Sequence, residues 1–324
     1  MSVILPVREP VIKSYTSYGC LFSIVGDETW PWIFNNFIQI RYARGWEIYT
    51  FDNHHMLLQN CPGLSFYILP QEIVKLKFGS LKKTIIDAID NGYYLFIFID
   101  RYYLHVTDSY EKEHFFHELF IFGYDIERDI VFIADNLVDG KYITTECPFS
   151  ELEEGYTSIV SEYSFMTDIR FLKPNSDVDC KINLKQIIYG LENYLHSKRT
   201  FDLLEEQEFQ YGFNAIKLIF DDLDGELGSL DYRAFHFLYE HKILMELRLK
   251  YLADKAIIGE EIKSILSDSQ KLKNNYLLLR NLVLKYNITL DGSILKSISN
   301  RLSSNIKEEQ NFINALIKIL NEVI

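Results

Sequence analysis

The sequence predicts an α+β fold with two domains, an antiparallel sheet in the first and only helices in the second. Runs rich in Ile, Phe, Tyr and Val are concentrated between residues 93 and 144, and the run at 93–100 (YYLFIFID) is apolar on both faces, as a central strand is. Apolar residues at helical spacing prevail from 184 to 324. A polar segment at 173–177 (KPNSD) separates these patterns. We therefore predict domains at 1–172 and 178–324.

The elements of the first domain can be justified in chain order. Residues 1–13 are expected to be extended and residues 14–19 to form a polar loop, after which Cys20 opens a helix. Helical spacing predicts a helix at 30–42, whose first turn tolerates Pro31. The other predicted elements are helices at 71–78 and 81–89 and strands at 47–51, 64–69, 93–100, 101–110, 119–124, 130–134 and 141–144.

The second domain repeats one pattern, an apolar stripe on a helix followed by a polar break. No internal repeat of fixed period accompanies it. The predicted helices lie at 184–195, 211–223 and 231–252, and the ranges 257–285 and 294–324 are each expected to hold one or two more.

A hairpin at 114–136 (HFFHELFIFGYDIERDIVFIADN) carries the strongest functional signal. His117 precedes its first apolar strand and Asp135 follows its second. If the turn is centred on Ile126, His117 lies directly opposite Asp135, with Cβ atoms roughly 4.5–5.5 Å apart. If the loop is one residue longer, Asn136 takes that place. A carboxylate or amide there would orient the imidazole for acid–base chemistry, whereas the alternative is a structural histidine at a strand end.

A second signal is Cys20, which follows the small-residue loop SYTSYG. A thiol at the start of a helix is close to unpaired backbone N–H groups, and these favour the thiolate and lower its pKa. Cys20 is therefore a candidate nucleophile. The alternative is that it is a small buried apolar residue, as most free cysteines are.

Composition limits the classes of partner. The net charge of −13 and the pI near 5.1 argue against binding to nucleic acid and to anionic membranes. No uninterrupted apolar run of about 18 residues is present, and Arg8, Glu9 and Pro10 break the apolar start, so we expect a soluble, cytoplasmic protein without a signal peptide. The aromatic content of 15% indicates thick cores or, alternatively, an aromatic-lined pocket.

The metal-ligating residue types are poorly spaced for a metal site. The four cysteines are scattered without a C-x-x-C pair, so we expect free thiols and no structural zinc. The segment Asp52-Asn53-His54-His55 lacks the ligand spacing of known zinc motifs. We expect neither a metal nor a cofactor.

The order Cys20, His117, Asp135 resembles that of papain-like cysteine enzymes. The phrase HELFIFGYD, followed by FIADN, looks like the C39-type peptidase branch of that fold. More closely, the chain resembles the butirosin biosynthesis protein H family, including its helical stretch DYRAFHFLYEHK. The resemblance implies a papain-like (C39-like) N-terminal domain with an antiparallel sheet, followed by a helical C-terminal domain.

The same resemblance implies a mechanism in bacterial natural-product biosynthesis. Cys20 would take an acyl group from a carrier-protein thioester, His117 would act as base and acid, and Asp135 would orient it. An amine of a small molecule would then accept the acyl group. His114 is an alternative base.

One departure from the family pattern concerns the oxyanion hole. The glutamine that precedes the cysteine in C39 peptidases is missing, so we expect the backbone N–H of Cys20 and a hydroxyl such as Ser14 or Tyr15 to form the hole. Two alternatives to acyl transfer are a C39-like peptidase and a catalytically inactive, papain-like binding or scaffold protein.

Overall fold

The computed structural model describes residues 2–200, 208–224, 228–259 and 262–324. The chain forms two compact units. The first, here called the sheet unit, comprises residues 1–29 and 56–179, and the second, the helical unit, comprises residues 30–55 and 180–324. The sequence predicted contiguous domains, whereas residues 30–55 belong to the helical unit.

The elements are numbered in chain order. The strands are β1 Ser2–Ile4, β2 Ile40–Ala43, β3 Ile48–Phe51, β4 Leu64–Leu69, β5 Tyr94–Asp100, β6 Phe116–Asp125, β7 Ile130–Val138, β8 Lys141–Pro148, β9 Ile169–Pro174 and β10 Phe209–Tyr211. The helices are α1 Thr16–Ile24, α2 Trp30–Asn36, α3 Leu57–Asn60, α4 Gln71–Phe78, α5 Leu81–Asp90, α6 Phe149–Thr157, α7 Leu184–Leu195, α8 Gly212–Lys217, α9 Ile219–Asp224, α10 Tyr232–Asp254, α11 Ile262–Thr289 and α12 Gly292–Val323.

The sheet unit is built on a seven-stranded sheet in the order β4-β9-β5-β6-β7-β8, with β1 added beside β6. All of these pairings are antiparallel, so the predicted antiparallel sheet is confirmed. Strand β5 is internal, as its two apolar faces predicted. Its residues Leu95, Ile97 and Ile99 are fully buried in a core that includes apolar residues of α5 and α6.

Two local predictions are wrong. The helix predicted at 30–42 ends at Asn36, because residues 40–43 are extended and pair with β3. In this pairing Ile40 lies opposite Phe51. The strand predicted at 101–110 is instead a short 3-10 helix, Arg101–Tyr103, followed by turns. The carboxylate of Asp100 accepts the backbone N–H of Tyr102 and so starts this turn.

The hairpin of β6 and β7 has neither of the predicted registers. Asp125 pairs with Ile130 and Phe120 with Ala134, with a β-bulge between Ile121 and Gly123. Glycine is required at the bulge because a Cβ atom on Gly123 would lie 2.7 Å from the carbonyl oxygen of Val3 in β1. The hairpin itself, with its turn at 126–129, is as predicted.

In the helical unit, α10, α11 and α12 pack in succession, and α7 packs against α12. The predicted helix at 184–195 is confirmed. The helix predicted at 211–223 is divided into α8 and α9, and residues 209–211 form a strand that pairs with β2, so the C-terminal region is not entirely helical. The range 257–285, predicted to be helical, includes residues 260–261, which lie outside the described residues. Within the described residues, every helix is too short or too polar to span a bilayer.

A buried polar network joins four helices of this unit. The Glu309 carboxylate accepts the hydroxyls of Tyr194 and Tyr276, each at 2.7 Å, and forms an ion pair with Lys242. Lys242 also donates to Nδ1 of His241 at 2.8 Å, while Nε2 of His241 donates to a backbone carbonyl. Because every charge has a partner, the network can stay buried.

Candidate active site

The site is organised around the fully buried carboxylate of Asp135, which lies within β7. The hydroxyl of Thr16 in α1 donates to one of its oxygens, and the guanidinium of Arg101 donates to the other. The backbone N–H of Asn136 adds a third bond at 2.6 Å. Burial alone would raise the pKa of Asp135. The pKa is nevertheless held below its ordinary value by His117, Arg101 and Thr16. Asp135 is therefore ionised at neutral pH.

His117 lies on β6, and its Nδ1 is 3.2 Å from the Asp135 carboxylate. Nδ1 also lies 3.0 Å from the carbonyl oxygen of Glu118, so two acceptors are within its reach and we assign it a proton. Arg101 Nη2, 2.8 Å from the same nitrogen, can only donate and has Asp135 as its acceptor. Burial lowers the pKa of His117, yet the neighbouring carboxylate outweighs it and the pKa is raised above its ordinary value. Its side chain keeps 29% of its surface exposed. The arrangement can orient an imidazole and stabilise its charged form.

The contact between His117 and Asp135 does not come from the predicted register, in which the two residues lie directly opposite each other. His117 is directly opposite Ile99 of β5, and the β6–β7 ladder ends at Phe120 and Ala134, one residue before Asp135. The two side chains instead meet across the end of the ladder, where diagonal neighbours remain within reach of long side chains.

Two members of the site were missed by sequence reasoning. Arg101 is 7% exposed and follows β5 directly, and a cation directly after a buried strand was the available signal. Thr16, 1% exposed, begins α1 rather than lying in a loop. Thr16 was missed because residues 14–19 were predicted to form a loop. A short run of polar and small residues has no clear helical period.

The structure corrects the expected setting of Cys20. The helix starts at Thr16, so Cys20 is its fifth residue and does not open it. An N–H at that position is used within the helix and is not available for an oxyanion hole. Cys20 is fully buried, and burial together with the charge of Glu118 raises the pKa of its thiol, the opposite of the expected shift. Among the described residues, His117 has no hydrogen bond to Cys20.

The other predicted site residues, Asn136, Tyr15 and Ser14, have different surroundings. Asn136 holds the chain before α1 by donating to the carbonyl of Lys13 at 3.1 Å, so it positions the backbone and does not replace Asp135. Tyr15 is the N-cap residue of α1 without a side-chain cap bond, and its ring contacts Tyr18. Ser14 is half-buried between Lys13 and Tyr15.

His114, the alternative base, belongs to a second pair. Its Nδ1 lies 2.6 Å from Asp100, whose carboxylate is 1% exposed and also accepts the N–H of Phe115. The imidazole is stacked on Tyr102, with ring centroids 4.4 Å apart, and is 61% exposed. The two histidines therefore pair with different carboxylates. Of these two carboxylates, Asp135, the partner of His117, is the one hydrogen-bonded to α1.

The segment 52–55 lies in the helical unit. Burial lowers the pKa of both His54 and His55, so they are neutral at physiological pH. Across the described residues, His, Cys, Asp and Glu nowhere form a group of three or more that could hold a metal ion.

The fold and the site define a class: an α+β protein with an antiparallel sheet, a mainly helical C-terminal region and a buried Asp–His–Arg cluster beside its first helix. No model of a known protein family matches the sequence, and no curated protein does. The resemblance to the butirosin biosynthesis protein H family rests on the residues and motifs of the chain alone.

Proposed function

We propose that the sheet unit is a papain-like acyl-transfer domain in which His117, oriented by Asp135, moves the proton. The observation that carries this proposal is the 3.2 Å contact between Nδ1 of His117 and a fully buried carboxylate. A buried carboxylate on one ring nitrogen leaves Nε2 for the reacting group and stabilises the imidazolium formed during the reaction.

The proposed substrates come from the family resemblance. The acyl donor is a carrier-protein thioester, and the acceptor is an amine of a small molecule, in the cytoplasm and within natural-product biosynthesis. The imidazole takes a proton from the attacking group and returns it to the leaving thiol. The raised pKa of His117 suits this second step, because the neighbouring carboxylate stabilises the imidazolium that donates the proton.

The nucleophile distinguishes two forms of the reaction. In the first, Cys20 forms an acyl-enzyme, and this requires the packing around α1 to open, because the thiol is fully buried. In the second, His117 activates the acceptor amine directly and no acyl-enzyme forms. The burial of Cys20 and its raised thiol pKa favour the second form.

A second candidate function is a papain-like binding protein without catalysis. The observation that favours it is also the burial of Cys20, since an inert thiol is what such a protein would carry.

The test is transfer of an acyl group from octanoyl-N-acetylcysteamine to a panel of small amines, measured by free-thiol release. Wild type is compared with His117→Ala, Cys20→Ser and the control Cys61→Ser, which replaces another buried cysteine. We expect His117→Ala to lower the rate about 100-fold or more, and Cys61→Ser to leave it unchanged.

The Cys20→Ser variant separates the mechanisms. Loss of activity in that variant supports the acyl-enzyme, and retained activity supports direct transfer. Wild-type activity that persists in His117→Ala contradicts the proposal. An inactive wild type whose Cys20 alkylates no faster than Cys61 favours the binding protein.

A further inference from the structure

A cavity of about 470 Å³ lies in the sheet unit under the N-terminal segment 7–13. Its volume is in the range of small-molecule sites. Six of its lining residues are buried: Pro10, Ser23, Phe120, Phe122, Ala134 and Tyr142. Three of the six are aromatic, which agrees with the aromatic-lined pocket that the high aromatic content indicates as one alternative.

The segment that covers the cavity is held at both ends. The N–H of Leu5 donates to the carbonyl of Phe122 at 2.8 Å, and that of Arg8 to the carbonyl of Ser23 at 3.0 Å. At the other end, Asn136 donates to the carbonyl of Lys13. The cavity is therefore a built feature of the unit, and the residue that holds the far end of the segment, Asn136, directly follows Asp135.

The charges at its rim are already paired. Arg8 forms an ion pair with Asp27 at 3.1 Å and also donates to the carbonyl of Phe22, while Lys13 forms an ion pair with Glu9. These pairs are exposed, so a charged ligand group that competes with them gives up an interaction of up to about 1 kcal/mol. A neutral ligand meets no such cost.

From the buried aromatic lining residues and the paired rim we infer that this cavity binds a neutral ligand with an apolar body, the acyl or aryl chain of a thioester, ester or amide. The assignment of the ligand as the acyl part of the substrate rests on the proposed function. The presence of the binding site does not, because it depends on the shape and polarity of the cavity.

The test is calorimetric titration of the full chain with octanoyl-N-acetylcysteamine, and with octanoate as an anionic probe of the same chain length. Thr144→Trp should fill the cavity from its exposed rim and weaken thioester binding about tenfold or more. Lys141→Trp is the control on the same strand, exposed and outside the cavity lining, and should bind as wild type does. Ile143→Lys, at a rim residue that is 38% exposed, is a second variant that should also weaken binding.

Equal binding by wild type, Thr144→Trp and Ile143→Lys would overturn the inference, as would an absence of thioester binding to wild type. Tighter binding of octanoate than of the thioester would overturn the inference that the ligand is neutral. The variant His117→Ala separates this inference from the proposed function. If this variant binds the thioester as wild type does, and neither protein transfers acyl groups, the binding site is supported and the proposed function is contradicted.

Discussion

At the scale of single residues, the site depends on compensation of one buried negative charge. Asp135 has three side-chain partners, Thr16, Arg101 and His117, that come from three separate segments of the chain. Each of them either donates a hydrogen bond or carries a positive charge. The orientation and charge of His117 should therefore change when the carboxylate is removed.

Asp135→Asn tests this dependence. Without the carboxylate, burial is the dominant influence on the imidazole, so the pKa of His117 should fall from its raised value to below the ordinary one. The variant also leaves Arg101 buried without its anion, which should cost about 3 kcal/mol of unfolding free energy. NMR titration of the histidine ring protons and urea denaturation measure the two effects. Asp100→Asn is the matched control, since it removes the partner of His114 and should leave the His117 titration unchanged.

At the scale of elements, the β-bulge in β6 decides how β1 joins the sheet. Gly123 pairs with Ile4 of β1 on one side and with Phe132 of β7 on the other. A side chain there would meet the backbone of β1, which cannot move away as a flexible side chain could.

Gly123→Ala should therefore lower the unfolding free energy by about 1–3 kcal/mol. In a variant that lacks residues 2–4, the same substitution should cost clearly less, because the clashing backbone is gone. Urea denaturation of the four proteins completes a double-mutant cycle. Gly228→Ala, where an added Cβ has no neighbour within 4 Å, is the control. An equal cost in the presence and absence of residues 2–4 would show that β1 is not the cause.

At the scale of the whole molecule, the helical unit contains the buried network around Glu309 and Lys242. Both side chains are at most 3% exposed. The network contacts α7, α10, α11 and α12, so it can fix the positions of helices that are far apart in the sequence.

Removal of one charge from this network should be more damaging than removal of both. Glu309→Leu and Lys242→Met should each cost about 3–5 kcal/mol, whereas the double variant that carries both substitutions should recover much of that loss. Glu308→Gln is the control, because the side chain of Glu308 is 36% exposed and its ion pair with Lys271 lies at the surface. Urea denaturation measures all four. A double variant as unstable as the sum of its parts would contradict the coupling.

The same network predicts how stability depends on pH. Burial, and then the positive charge of Lys242, lower the pKa of His241 well below its ordinary value, so the unfolded chain binds the proton more readily. The contribution of His241 is therefore present above about pH 6.5 and is lost as the pH falls, with a slope of up to about 1.4 kcal/mol per pH unit. His241→Gln should flatten the dependence of unfolding free energy on pH between about 6.5 and 5. A slope that is unchanged in His241→Gln would refute the assignment.

The sequence by itself determined the elements that depend on local periodicity. The two apolar faces of 93–100 predicted an internal strand, the spacing at 184–195 predicted α7, and the turn at 125–129 predicted the hairpin. The pairing of His117 with Asp135 was also expected from the hairpin, although the register that was expected to produce it is absent.

Only the tertiary structure decided which residues surround Asp135 and which are enclosed. Thr16, Arg101 and Asp135 are 34 or more residues apart, and no local period relates them. Glycine is needed at residue 123 because β1, more than a hundred residues away in the chain, lies against it. Cys20 has the local pattern of a helix-opening thiol but is buried in the second turn of α1, because helix start and burial depend on contacts with distant strands. Side-chain periodicity reports the face of an element, whereas its partners are set by long-range packing.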